Sequence, residues 1–178
     1  MSVVVRAMRR EDADAVAQMV EGLARETRPH VKPKLTGKVL SDNADLIDVV
    51  IAEDNGAVIG ACLGLLTFST WRGAKGLYIV DLFVAAKARN RRVGLALLTE
   101  SARRARAHGA TFIKLEVDHA NAGAARFYER LGFARHDEDR LFALEEQGVR
   151  QLIDQAPARG EGKESGSVPP RKRDHIGE

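Results

Sequence analysis

Apolar and polar positions along the chain change period several times, and each change marks an element. Val3-Val4-Val5 forms a short first strand. Glu11 and Asp12 open a helix with acids in its first turn, where the helix dipole favours them. Val16, Met19 or Val20, and Leu23 make its apolar face. Pro29 and Pro33 mark residues 26–36 as a loop, and a short helix is read around Gly37 to Asn43. Val49–Glu53 and Ala57–Phe68 are strands, joined by Asp54-Asn55-Gly56, whose Asn and Gly tolerate the positive φ of a tight hairpin. Leu77 to Val84, LYIVDLFV, is an apolar run with a single acid, Asp81, and reads as a buried central strand. Gly94, Leu98, Ala102 and Ala105 then recur at helical spacing, with Glu100 and Arg104 on the opposite face and Gly109 as the stop. Thr111–Val117 is the next strand. A short helix follows with Asn121 as its N-cap, Ala124, Tyr128 and Leu131 on one face, and Gly132 beyond its end. Phe133–Arg135 and Leu141–Leu144 predict a terminal hairpin, and a last amphipathic stretch runs to about Gln155.

This order mixes hairpins with strand–helix–strand units. It predicts an α/β architecture: a mixed, mostly antiparallel sheet with helices on both faces. Residues 1–155 are expected to form one domain. From Ala156 the composition shifts to Gly, Pro, Ser and charge, so residues 156–178 are expected to be a disordered tail. Hydrophobic residues at 44% and charged residues at 30% describe an ordinary globular protein rather than a fibrous or low-complexity chain. No apolar run approaches a membrane span, and the opening MSVVVRAMRREDADA is too short in apolar residues for a secretory leader. The single cysteine, Cys62, excludes an intrachain disulfide, reads as a small core residue, and makes the cytoplasm the expected compartment. The five histidines are scattered without ligand spacing, so no metal is expected.

The candidate chemistry lies between the Leu77 strand and the Gly94 helix. The connecting loop, Arg89-Asn90-Arg91-Arg92-Val93-Gly94, is rich in Arg and ends in Gly. A strand, a tight loop and a helix start leave several backbone N–H groups without partners, all pointing one way; this is an anion site suited to phosphate. The stretch resembles the coenzyme A loop of the GNAT superfamily of acyl-CoA N-acyltransferases, R/Q-x-x-G-x-G/A. Val84 stands five before Arg89 and Leu95-Ala96-Leu97-Leu98 follows Gly94, while Arg92 replaces the middle Gly. A second register, Arg91 to Ala96, fits the short pattern; the first keeps the spacing to strand and helix. Asn121 to Phe133, NAGAARFYERLGF, resembles the family's N-x-x-A-x-x-F-Y-x-x-x-G-F segment at every named position. The resemblance covers roughly residues 3 to 145 and implies the GNAT fold, acetyl-CoA as co-substrate, a small-molecule amine as acceptor, and a homodimer. It implies a coenzyme A site at Leu82, Phe83, Val84, Arg89, Asn90, Arg91, Arg92, Val93, Gly94, Leu95, Ala96 and Asn121. Phe83 and Val84 mark the usual place of the oxyanion donor, and Tyr128 is the family-matched proton donor to the leaving thiolate.

A narrower resemblance runs through FSTWRGAKGLYIVDLFV, which looks like the diamine and thialysine N-acetyltransferase branch at Trp71, Gly73, Leu77, Tyr78, Asp81, Phe83 and Val84. The branch's Glu before the Asp is Val80 here, so a primary amine is expected as acceptor, not necessarily a dication. An alkylammonium with a pKa of about 10.4 must lose a proton before it attacks the thioester. Asp81 reads equally as the base, acting through water, or as a buried acid holding the Arg-rich loop. Glu26 reads as an acid lining the amine pocket or as a solvated surface acid, and Trp71 as a pocket wall. Cys62 and the serines have no sequence-evident His partner, so no covalent nucleophile is expected. Two other classes compete. A silent acyl-CoA sensor would bind the thioester without turnover. A nucleic-acid contact would use Arg89–Arg92, Arg103, Arg104, Arg106 and Arg171-Lys172-Arg173, and would weaken steeply with salt; a solvated basic face is the simpler account of that charge.

Overall fold

A computed structural model describes residues 3–136 and 142–154. The chain divides into two units, Met1–Phe133 and Ala134–Glu178. The first contains a five-stranded sheet in chain order: β1 (Val4–Ala7), β2 (Asp48–Asp54), β3 (Ala57–Ser69), β4 (Ala74–Val84) and β5 (Ala110–Leu115). β1 through β4 pair antiparallel, and β4 pairs parallel with β5. The parallel pair requires a crossover, and α3 (Val93–Ala107) supplies it. α1 (Ala13–Thr27), α2 (Gly37–Asp42) and α4 (Ala122–Arg130) complete this unit. In the second, α5 (Glu146–Asp154) is the regular element among the described residues.

Strand alternation sorts the core into two layers. On one face Val49, Ile51, Ala61 and Leu63 pack with Ala13 and Val16 of α1 and Leu40 of α2. On the other, Val50, Ala52, Cys62, Leu77 and Ile79 pack with Val93, Leu97, Leu98 and Ala105 of α3. The mixed sheet with helices on both faces thus matches the expectation from periodicity. At the β1 edge, the half-buried Arg6 donates to Asp12 and Glu53, each at 2.7 Å, and joins β1, β2 and the start of α1. Its guanidinium holds the Asp12 carboxyl below the usual carboxylate range. Asp12 therefore favours the fold above that range and loses this contribution as the pH falls.

Three expectations are corrected. The inward face of α3 is Val93, Leu97, Leu98, Ser101 and Ala105: Leu98 and Ala105 of the predicted stripe are buried as expected, whereas Val93, Leu97 and Ser101 take the places expected of Gly94 and Ala102. Arg104 pairs with Asp48 of β2, and Glu100 takes Arg103 instead. No terminal hairpin forms among the described residues: 133–136 and 142–145 are irregular, and Phe142 and Leu144 are exposed, so no buried face drives strand pairing. Residues 137–141 of the predicted hairpin, and the predicted tail at 156–178, lie outside the described residues. No helix among the described residues is long and apolar enough to cross a membrane.

The feature that positions the candidate site is the end of β4. Its pairing with β5 stops at Ile79–Leu115, whereas β4 continues beside β3 to Val84. At this point the ladder shifts: Leu63 faces Asp81 and Gly64 faces Ile79, so Val80 is the extra residue of a bulge. The bulge reverses which residues face each layer. Leu77 and Ile79 face α3 before it, and Leu82 and Val84 do so after it. Asp81 and Phe83 consequently point to the α1 layer, where Phe83 lies against Gly22 of α1. Beyond Ile79, one edge of β4 carries backbone groups with no β5 partner.

Candidate active site

The loop after β4 leads into α3. Arg92, which occupies the position of the middle Gly, is the N-cap of α3 and has φ +60°. Asn90 has φ +62°. Left-handed backbone costs an ordinary side chain about 1 kcal/mol, which is the physical reason glycine suits the Arg92 position. The first bond of α3 runs from the Ala96 N–H to the Arg92 carbonyl at 3.0 Å. The preceding amides, Val93, Gly94 and Leu95, therefore lie at the open positive end of a fifteen-residue helix. A Cβ on Gly94 would meet Phe127 at 3.6 Å and Val84 at 3.7 Å, ordinary contact with α4 and β4 side chains. The open amides form a donor set of the kind that can bind a diphosphate.

Two of the loop's arginines, Arg89 and Arg91, are committed to the protein. The Arg89 Nε donates to the Val84 carbonyl at 3.0 Å, and its Nη2 reaches both Glu26 oxygens at 2.7 and 2.6 Å. Arg91 pairs with Asp54, the last residue of β2, at 2.8 Å. These bonds anchor the cradle to α1 on one side and to the hairpin on the other. Glu26 is thereby placed beside the loop, at the C-terminal end of α1, with its charge taken up by Arg89.

α4 supplies the opposite wall. The Asn121 side chain accepts from the Ala124 N–H at 3.0 Å and caps the helix, as its sequence predicts. At the other end the Phe133 N–H returns to the Tyr128 carbonyl at 3.1 Å, and Gly132 adopts φ +89°. Tyr128 packs against the α3-side core and contacts Phe127 and Phe133 edge to face, with centroids 5.1 and 5.4 Å away. Burial, with a smaller effect from Cys62, raises the Tyr128 phenol well above its ordinary range, so it keeps its proton at any working pH. Cys62 lies behind it on β3, fully buried, and burial pushes its thiol up to about 11. A thiol in that state is no nucleophile.

On the other face, Asp81 is half-buried and accepts no hydrogen bond among the described residues. Burial raises its carboxyl above the usual range, and the Arg28 charge opposes that shift. Tyr78, beside it on β4, is raised by burial and by Glu116. Asp81 and Tyr128 thus stand on opposite faces of the same open stretch of β4. Sequence reasoning read Tyr128 as the acid and Asp81 as either the base or a buried acid, placed Tyr78 only as part of the diamine-branch pattern, and missed Arg28 and Glu116, which carry no motif. Trp71 is placed elsewhere: it is 99% exposed at the tip of the β3–β4 turn. Ala74 to Asp81 in strand geometry is roughly 23 Å, so Trp71 does not line this site within its own chain. Among the described residues, no group of three or more His, Cys, Asp or Glu is placed to hold a metal ion.

The model of the acetyltransferase (GNAT) family matches residues 16–133. The chain belongs to that family. Among curated proteins, it is 37% identical over 86 residues to the uncharacterized N-acetyltransferase YhfO of Bacillus subtilis (strain 168), a match covering 48% of this chain and 57% of that protein. The matched region therefore spans just over half the length of that relative. Among solved structures, an integron cassette protein from the mobile metagenome of V. cholerae superposes with a TM-score of 0.70 at 20% identity, covering 86% of this chain and 98% of the other. An aminoglycoside acetyltransferase from an uncultured soil metagenomic sample, solved with sisomicin, gives 0.66 at 15% identity over 80% of this chain and 97% of the other. These structural likenesses speak for the fold.

Proposed function

We propose that this protein transfers an acetyl group from acetyl-CoA to a primary amine by direct attack. The observation that carries the reading is the open end of β4, which has the α3 amide cradle beside it, Tyr128 on one face and Asp81 on the other. Coenzyme A would lie with its diphosphate on the amides of Val93–Leu95 and its thioester along Leu82–Val84. The amine would come from the α1 face. Asp81, through water, takes its proton; the nitrogen–carbon bond forms while a backbone N–H near Phe83 or Val84 faces the developing oxyanion. The carbon–sulfur bond then breaks, and Tyr128 gives its proton to the thiolate. The nitrogen loses its second proton as the amide forms; through water that proton restores Tyr128, Asp81 releases its own to solvent, and no covalent enzyme intermediate is required.

The acceptor side carries Asp81 and Glu116, with Asp118 paired to Arg28. The diamine-branch pattern supports an amine but not a dication, because the branch's acid is Val80, the bulge residue, 44% exposed. The homodimer remains part of the reading: a second copy is what could bring Trp71 to an amine pocket. The test is acetyl-CoA-dependent thiol release across a panel of polyamines, amino acids, aminoglycosides and lysine peptides. Release at least tenfold above the amine-free background with one amine class is expected. Tight acetyl-CoA binding with no release on any amine would favour the sensor instead.

A further inference from the structure

β3 is longer than the strand beside it. β2 accompanies it only as far as Asp48, opposite Gly64, while β3 runs on to Ser69. The chain ahead of β2 has turned away: the N–H groups of Leu46 and Ile47 both bond to the Asn43 carbonyl, at 3.0 and 3.2 Å. Residues 65–69 therefore pair with β4 on one side and have no strand on the other among the described residues. An open edge of this kind offers its alternate N–H and C=O groups to another extended chain, and proteins that keep such an edge single place charges or Pro along it. Residues 65–71, LLTFSTW, contain neither a charge nor a proline.

The side chains along this edge are apolar and unburied. Leu66 stands opposite Leu77 and Phe68 opposite Lys75, so Leu66 and Phe68 share one face of the sheet. Both are half exposed or more, as is Leu46 where the chain leaves the edge, and Trp71 at the turn is fully exposed.

We propose that the open edge of β3 pairs antiparallel with the same edge of a second copy, joining two five-stranded sheets about a two-fold axis. An antiparallel edge is its own complement, so one surface serves both copies. The axis puts Leu66 and Phe68 of both copies on one face, as a strip of four apolar side chains. The partner's strand fills the place that β2 leaves empty, and its β3–β4 turn arrives at residues 45–48 of this copy. Trp71 of each copy then lies beside Leu46 of the other. Charge fits as well. Between Asp54 and Asp81 the chain has no acid, and the hairpin carries Arg72 and Lys75. The segment it meets carries Asp42, Asp45 and Asp48. Asp42 and Asp48 have partners in their own chain, Lys38 and Arg104, whereas Asp45 is exposed and has none among the described residues. At roughly 150–250 Å² for a large side chain, Leu46, Leu66, Phe68 and Trp71 offer about 500 Å² per copy. With the backbone edge added, the two copies together approach the roughly 1,200 Å² at which specific interfaces begin, so the association is concentration-dependent rather than obligate. This names the face of the homodimer in the reading above, and the chemistry at the end of β4 does not depend on it.

The experiment is sedimentation of the full chain from about 1 to 300 μM, wild type beside the double variant Leu66→Lys/Phe68→Lys. Wild type should pass from one chain to two across this range. The double variant should stay a monomer, with thiol release unchanged and with the melting temperature that wild type shows where it too is a monomer. Antiparallel pairing about a two-fold sets one residue opposite its own copy. Of the single variants Leu66→Cys, Thr67→Cys and Phe68→Cys, at least one should therefore form a covalent dimer on mild oxidation, since the native Cys62 is buried. A wild-type monomer throughout the range overturns the proposal, and so does a dimer that persists in the double variant or that none of the three cysteines captures. A monomer that binds phosphatidylcholine–phosphatidylserine vesicles and loses them in Trp71→Ala overturns it too, and assigns the hairpin to a membrane surface. Each of these failures leaves the acetyl transfer reading standing if thiol release persists.

Discussion

Replacing Tyr128 with Phe is expected to lower kcat by roughly 10²- to 10⁴-fold, the usual contribution of a positioned proton donor. The ring keeps its edge-to-face contacts with Phe127 and Phe133 and its place against the α3-side core, so packing is preserved. Removing a hydroxyl costs the fold at most about 1 kcal/mol. Because burial already holds the phenol in its protonated form, the wild-type enzyme should show no alkaline limb from Tyr128 within its stable range. The proton is needed only as the thiolate leaves, so KM for acetyl-CoA should change little. Steady-state kinetics on a variant shown folded by circular dichroism checks this. A wild-type kcat would reduce Tyr128 to core packing, with water protonating the thiolate.

Asp81→Asn carries the second large effect, with opposite signs for activity and stability. Activity should fall roughly 10²-fold or more, and the acid limb of the kcat/KM pH profile should vanish with the carboxylate. Stability should move the other way. Burial raises the Asp81 carboxyl in the folded protein above its unfolded value. Such a group favours the fold below the unfolded pKa and forfeits that contribution as the pH rises through the folded one. At neutral pH the ionised Asp81 therefore opposes folding, and an amide of the same shape escapes the penalty. Melting curves at neutral pH should place Asp81→Asn at or above wild type. A clearly lower melting temperature would mean that the ionised Asp81 stabilises the fold and would contradict the burial penalty.

What was legible in the sequence is what local chemistry decides. Asn55 and Gly56 turn the β2–β3 hairpin at φ 52° and 80°, as their residue types foretell. Asn121 caps α4 with its own side chain. The cradle was legible because a strand, a loop and a helix start are contiguous. The rest depends on contacts distant in sequence. Nothing in IVDLF shows that Val80 is a bulge; its position follows from where β5 stops pairing, and only that tells which face Asp81 takes. Glu26 and Arg28 lie two residues apart, yet one neutralises the loop and the other reaches Asp118, because the end of α1 fans its side chains to both sides. Trp71 matched a motif and still lies at an exposed turn, since a pattern fixes order along the strand and not distance from the site.

The claim that the acetyl group crosses the open end of β4 in one step is tested most directly by initial rates of thiol release, with acetyl-CoA and amine varied together. Direct attack requires both substrates on the enzyme at once, with Asp81 and Tyr128 serving them from opposite faces. Double-reciprocal plots should give lines that intersect, and acetyl-CoA alone should leave the protein unacetylated by intact mass. Parallel lines together with an acetylated protein would show a covalent intermediate and contradict the account.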